Sequence, residues 1–159
     1  MIRISLLILS IVASSVVFGQ RLRTTFTNDL SKWSFDGTNY RTSFINDWDN
    51  WTAGSTKIRT VFANDWDRWE IGPGVEMRTI FANDFDEWEI RKGDLVIRVR
   101  TTFSDDFERW SISGDASGSI RTVFSQNFEQ WDVDIDDEVD DDILSAIVFV
   151  AIFTSFQQK

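Results

Sequence analysis

The chain has 159 residues, a formal net charge of −10 at pH 7, and neither histidine nor cysteine. Those two absences exclude Ser-His-Asp and Cys-His nucleophile systems, His- or Cys-ligated zinc, and any disulfide framework. The acidic balance repels phosphate backbones, so nucleic acid is not an expected partner.

Residues 1–19 read as a secretory signal. Met1-Ile2-Arg3 is a short basic start, Leu6 to Val12 is an apolar run interrupted by Ser10, and Val17 and Gly19 stand at the −3 and −1 positions of a cleavage site before Gln20. A membrane anchor would need about 20 apolar residues, and Ser10, Ser14 and Ser15 interrupt this stretch. The expectation is an exported protein, periplasmic or extracellular. Its mature chain from Gln20 would form one domain with no membrane span, held together by packing alone.

An eleven-residue phrase then recurs six times, at Arg23, Arg41, Arg59, Arg78, Arg100 and Arg121. Its cleanest copy is Arg59-Thr60-Val61-Phe62-Ala63-Asn64-Asp65-Trp66-Asp67-Arg68-Trp69. The starts are 18, 18, 19, 22 and 21 residues apart, the signature of one small unit stacked many times. The units span about 20–37, 38–55, 56–74, 75–96, 97–118 and 119–135.

Let the Arg be position 0. Position −1 is apolar or aromatic in every copy (Leu22, Tyr40, Ile58, Met77, Val99, Ile120). So is position 12 (Phe35, Ala53, Ile71, Ile90, Ile112, Val133), and position 10 is always Trp. Positions 5 and 6 are Asn-Asp in four copies, Asp105-Asp106 in the fifth and Gln126-Asn127 in the sixth. Two short runs around an Asn/Asp pair predict a β-hairpin, since these residues tolerate the left-handed conformation a tight turn needs. A loop at positions 5 and 6 makes cross-strand partners sum to 11. One face then collects Ile58, Thr60, Phe62, Asp67, Trp69 and Ile71. The other collects Arg59, Val61, Ala63, Trp66, Arg68 and Glu70. The same rule pairs Arg59 with Glu70, Arg78 with Glu89 and Arg121 with Asp132, opposite charges across a strand pair. The competing pattern is a helical turn, because Phe62, Trp66 and Trp69 are spaced i, i+4, i+7. Such a helix would hold only about two turns, and turn signals arrive roughly every nine residues, so the hairpin is favoured.

The stretch Asp132 to Asp142 holds eight carboxylates besides Val133, Ile135 and Val139. Asp132, Asp134 and Asp136 match the opening of an EF-hand loop, but Asp137 stands where glycine is needed and Ile143 where glutamate is needed. A solvated linker capping the tail is favoured over a weak calcium site on those three residues. No other cofactor is expected.

The acidic linker and apolar tail occupy 136–159. As a helix, residues 143–156 would be hydrophobic all round, which marks full burial. Twelve strands tilted by about 40° close at a radius near 12 Å, enough for one central helix and a layer of side chains. The expected fold is therefore all-β with one C-terminal helix: six hairpins in an antiparallel meander, closed into a barrel around the tail. The alternative is a two-layer sandwich with the tail as a strand, which its β-branched residues favour.

Position 7 reads Leu30, Trp48, Trp66, Phe85, Phe107 and Phe128. In this register it lies on the mixed outer face beside the turns. Its aromatics, Trp48, Trp66, Phe85, Phe107 and Phe128, are either local packing or a contact stripe for a glycan or protein partner. Six similar units argue against an enzyme, whose active site needs unlike residues placed asymmetrically. The expected function is an exported, non-catalytic structural or interaction repeat protein. The alternative is a glycan-binding module using the aromatic stripe.

Overall fold

The computed structural model describes residues 20–159; the signal expected at 1–19 lies outside the described residues. Twelve strands run in order: β1 (Gln20–Thr24), β2 (Lys32–Phe35), β3 (Thr38–Thr42), β4 (Asn50–Ala53), β5 (Thr56–Phe62), β6 (Asp65–Ile71), β7 (Val75–Phe81), β8 (Asp84–Lys92), β9 (Leu95–Thr101), β10 (Arg109–Gly114), β11 (Gly118–Phe124) and β12 (Asn127–Ile135). Among the described residues one helix, α1 (Asp141–Gln157), follows. Each strand pairs antiparallel with its sequence neighbours, and β1 closes the barrel against β12. Each repeat supplies one hairpin.

Helix α1 fills the barrel. Asp140 caps it by accepting the backbone N–H groups of Asp142 and Ile143, and Asp141 and Asp142 sit in the positive first turn. From Ala146 to Phe153 every residue is fully buried. The β-branched tail does not become a strand because a closed barrel offers it no free edge to pair with. A helix satisfies its own backbone groups, so it can be buried on all sides. At its start, Thr56 Oγ1 donates to Asp142 Oδ1 at 2.8 Å, and Lys92 Nζ lies 2.8 Å from Asp140 Oδ2. Gly72 admits this close approach, since a Cβ there would stand 2.6 Å from Asp142 Oδ1. At its end, Trp131 Nε1 donates to Ser155 Oγ at 3.0 Å.

Three repeat positions build the wall of the core. Positions −1, 10 and 12 are buried in all six copies. The six position-10 tryptophans surround the helix. Trp69 meets Phe149 at a centroid distance of 4.8 Å, and Trp88 meets Phe153 at 5.0 Å, both edge to face. Such pairs add about 0.5–1.5 kcal/mol each beyond their buried area.

Away from the turns the register is the expected one. Ile58 pairs with Ile71, Arg59 with Glu70 and Thr60 with Trp69. The cross-strand ion pairs form: Arg59–Glu70 at 2.8 Å, Arg78–Glu89 at 2.8 Å and Arg121–Asp132 at 3.8 Å.

Near the turns the register differs. The turn occupies positions 4 and 5, not 5 and 6: Phe62 pairs with Asp65, Phe81 with Asp84 and Phe124 with Asn127. Repeats one, two and five make the same 6-to-3 bond, with Asp29, Asp47 and Asp106 donating to Phe26, Phe44 and Phe103. Position 5 is left-handed in all six copies, from Asn28 at φ 63° to Gln126 at φ 58°. Position 6 has a separate duty. Its side chain accepts the backbone N–H of position 8 in every copy, as Asp65 does from Asp67 at 3.1 Å and Asn127 from Glu129 at 2.9 Å. This Asx turn holds two extra residues on the returning strand. The result is a bulge that reverses the faces at the barrel rim.

Candidate functional site

That bulge decides what the rim displays. The position-3 phenylalanines, expected in the core, are exposed: Phe26, Phe44, Phe62, Phe81, Phe103 and Phe124, at 60 to 72 %. The position-7 residues, expected on the outer face, instead pack against the core. Trp48 and Trp66 lie with ring centroids 5.0 and 5.6 Å from Phe156, and Phe85 lies 5.0 Å from Phe153. Phe107 and Phe128 pack on Trp110 and Trp131 of their own repeats. Of the two readings of position 7, local packing is the one these contacts describe. The site residues Trp48, Trp66, Phe85, Phe107 and Phe128 close the end of the barrel and form no outer stripe.

The position-10 tryptophan fixes this arrangement. Its indole N–H donates to the carbonyl of position 7, at 2.6 Å in Trp33 and 2.9 Å in Trp51, and likewise in Trp69, Trp110 and Trp131. Trp88 is the exception, and its indole N–H has no partner among the described residues. A signal for the bulge was present in the sequence. Position 6 is Asp or Asn in all six repeats while position 5 varies to Gln, the mark of a side-chain acceptor and not merely of a turn former.

Neighbouring tips are stapled together. The position-8 carboxylate of one repeat accepts the backbone N–H of position 5 in the next. Asp49 Oδ2 accepts from Asn64 at 2.8 Å, and Asp67 Oδ1 accepts from Asn83 at 2.9 Å. Glu108 accepts from Gln126, and Glu129 accepts from Asn28 at 3.2 Å, which joins the sixth repeat to the first. Asp86 holds the same place in repeat four. Burial raises its pKa, as does the charge of Asp84. The first repeat breaks the rule, since its position 8 is Ser31.

The three acidic candidates are not brought together. Asp132 and Asp134 stand on β12, and Asp136 lies just beyond it. An extended strand separates successive members by about 7 Å along its length, whereas an EF-hand loop folds its ligands around one point. Asp132 is engaged by Arg21 at 3.3 Å and Arg121 at 3.8 Å, and Asp136 accepts from Ser117 Oγ at 3.3 Å. Among the described residues no group of three or more acids is placed to hold a metal ion. The linker is therefore shorter than the acidic stretch, because β12 takes up its first four residues.

Two strongly shifted groups have structural causes. A hydrogen bond from Arg91 and another from Arg78 hold the buried Glu89 carboxyl down at about 2, against the opposing effect of burial. Burial pushes the Tyr40 hydroxyl up to about 12. Glu89 belongs to an outer-wall ion-pair cluster and Tyr40 to the core, so neither faces a cleft suited to acid–base chemistry.

A cleft of about 860 Å³ lies between the first two repeats. Ser31, Lys32, Arg41, Phe44, Ile45 and Trp48 are among the residues that line it. The fifth and sixth repeats enclose a corresponding cleft of about 530 Å³, with Glu108 among its lining residues.

The fold and this rim define a class: a closed antiparallel barrel of six hairpin repeats, filled by its own C-terminal helix and displaying one phenylalanine at each hairpin tip. Comparison with known protein families, with characterised proteins and with solved structures returns no match for this chain.

Proposed function

We propose that the protein is an exported, non-catalytic interaction module that binds a protein partner through its rim of exposed phenylalanines. The observation that carries this reading is the equivalent exposure of Phe26, Phe44, Phe62, Phe81, Phe103 and Phe124. One large apolar residue at each of six tips exceeds what scattered surface residues need, and apolar rims of this kind suit protein contact. Export rests on the character of residues 1–19.

Two further features support a binding role. The space inside the barrel is occupied by side chains and α1, which leaves the outside and the rim to carry any function. The outer wall is laced with charge, including Arg59–Glu70, Arg68–Glu76 and Arg78–Glu89. A lipid-facing barrel would need an apolar band there, so the wall suits water. Glycan binding through position 7 has less support, because Phe153 and Phe156 pack against Trp48, Trp66 and Phe85.

The test is a variant carrying Phe62→Ser, Phe81→Ser and Phe103→Ser. A contact surface predicts a melting temperature within about 2 °C of the parent, together with loss of self-association in sedimentation or of a cross-linked protein partner. A marked fall in melting temperature would assign the rim to stability and overturn the reading.

A further inference from the structure

We infer that the seam between the first and second repeats is a binding site for a ligand carboxylate carried next to an apolar group. The site takes from a ligand the interaction that the other seams make internally. It shares Phe44 with the phenylalanine rim but does not depend on the rim acting as a contact surface.

The inference starts from the internal repeat. At four seams an Asp or Glu at position 8 accepts the backbone N–H of the left-handed residue in the next repeat: Asp49, Asp67, Glu108 and Glu129; at a fifth, Asp86 supplies the carboxylate at the same position. Those four seams have the geometry of a carboxylate held by a backbone N–H. At the remaining seam the turn is built the same way. Asn46 is left-handed at φ 60°, and Asp47 donates its N–H to the Phe44 carbonyl at 3.2 Å. Its position-8 neighbour, however, is Ser31, whose hydroxyl is bonded to its own Asp29. Among the described residues the Asn46 N–H has no acceptor.

The charge at this seam has changed in the same sense. Arg41 faces Lys32 on one side and Thr52 on the other. Position 11 carries an acid in repeats three, four and six, where Glu70, Glu89 and Asp132 pair with the position-0 arginine. In the second repeat position 11 is Thr52, which carries no charge. Two cations thus stand directly across a strand pair, an arrangement that is unfavourable without a counter-charge. Lys32 is shared with Asp29 at 3.5 Å and lies 5.7 Å from the Phe26 ring, while Arg41 has no acid across either strand. On a chain of net charge −10, this is a local cationic cleft.

The apolar half of the ligand follows from position 4. It is Thr, Ala, Ala, Ser and Ser in the other repeats, and Ile45 here, 92 % exposed. Ile45, Phe44 and Trp48 line the same cleft as Lys32 and Arg41. A carboxylate that accepts from Asn46 N–H and pairs with Arg41 would leave an attached apolar group against these three. A peptide C-terminus with an aliphatic last residue fits, and so does a glutamate side chain beside an apolar residue. The shared chemistry is the carboxylate.

The experiment is an amide NMR titration of the whole mature chain with N-acetyl-leucine and N-acetyl-glutamate α-amide. Sodium phosphate and N-acetyl-leucine amide serve as controls. The expected result is a saturable shift of the Asn46 amide at millimolar carboxylate, with the Asn64 and Asn83 amides unmoved. Stronger binding of N-acetyl-leucine would identify a terminal carboxylate, and stronger binding of the glutamate compound a side-chain one. Ser31→Asp supplies the internal carboxylate found at other seams. It should abolish the shift while raising the melting temperature, and Arg41→Ala should weaken binding at least fivefold without unfolding the chain. The inference is overturned if Asn46 does not saturate, if phosphate or the uncharged amide shifts it equally, or if Ser31→Asp binds as tightly as the parent.

Discussion

Glu129 accepts the backbone N–H of Asn28, 101 residues earlier in the chain, at 3.2 Å. The contact repeats at the barrel seam the staple that sequential repeats make with one another. It sits where the Arg21–Asp132 ion pair, at 3.3 Å, also ties β1 to β12. Closure of the ring thus uses ordinary repeat chemistry and no special sequence. Replacing Glu129 with Ala leaves the Asn28 turn without its acceptor and should cost about 1–2 kcal/mol. The denaturant midpoint should fall with little change in slope, and an unchanged midpoint would remove the staple's role in closure.

The core and rim aromatics should separate sharply. Phe153 is fully buried and packs on Trp66, Trp69, Phe85, Trp88 and Phe156. Phe153→Ala should cost about 3–5 kcal/mol. Phe62→Ala removes an exposed ring and should change stability by no more than about 0.5 kcal/mol. Chemical denaturation of both variants checks the reversal of faces directly, since the uninterrupted hairpin register would bury Phe62.

Position 5 carries a conformational demand. Asn64 sits at φ 59°, where residues other than glycine, asparagine and aspartate are strained. Asn64→Val should destabilise by about 1–2 kcal/mol, while Asn64→Gly should be close to neutral. Equal effects of the two in thermal melts would show that the side chain, and not the backbone, matters there.

The Glu89 cluster predicts an acid-sensitive wall. Arg91 at 2.6 Å and Arg78 at 2.8 Å hold its carboxyl at about 2, below the ordinary value of 4.5. A depressed carboxyl contributes stability above its unfolded pKa and loses it as pH falls through the folded one. The contribution is therefore complete above about pH 5 and gone near pH 2, and on the order of 2 kcal/mol is at stake. Urea melts between those limits should show this loss, and Glu89→Gln should flatten the difference.

Much of the fold was legible in the residues themselves. Positions −1, 10 and 12 share one face because their partners lie opposite one another in long paired strands, where a period of two leaves a single register that buries them. The same logic placed Arg59 opposite Glu70. The all-apolar tail could be buried on every side only as a helix inside a closed wall. The pattern near the turn was not decisive, because positions 3 and 7 are both largely aromatic and hydrophobicity alone cannot choose which enters.

Tertiary structure made that choice. The Asx turn at position 6 inserts two residues into the returning strand, and Phe153 and Phe156 of α1 offer surface to position 7 at the barrel end. Position 3 is then carried outward. Closure likewise put Asn28 beside Glu129, and so revealed Ser31 as the one seam residue without a carboxylate. Local sequence determined which residues the strands bury. Only the closed ring, which brings each tip against the next, decided which aromatics face solvent and which seam is left to a ligand.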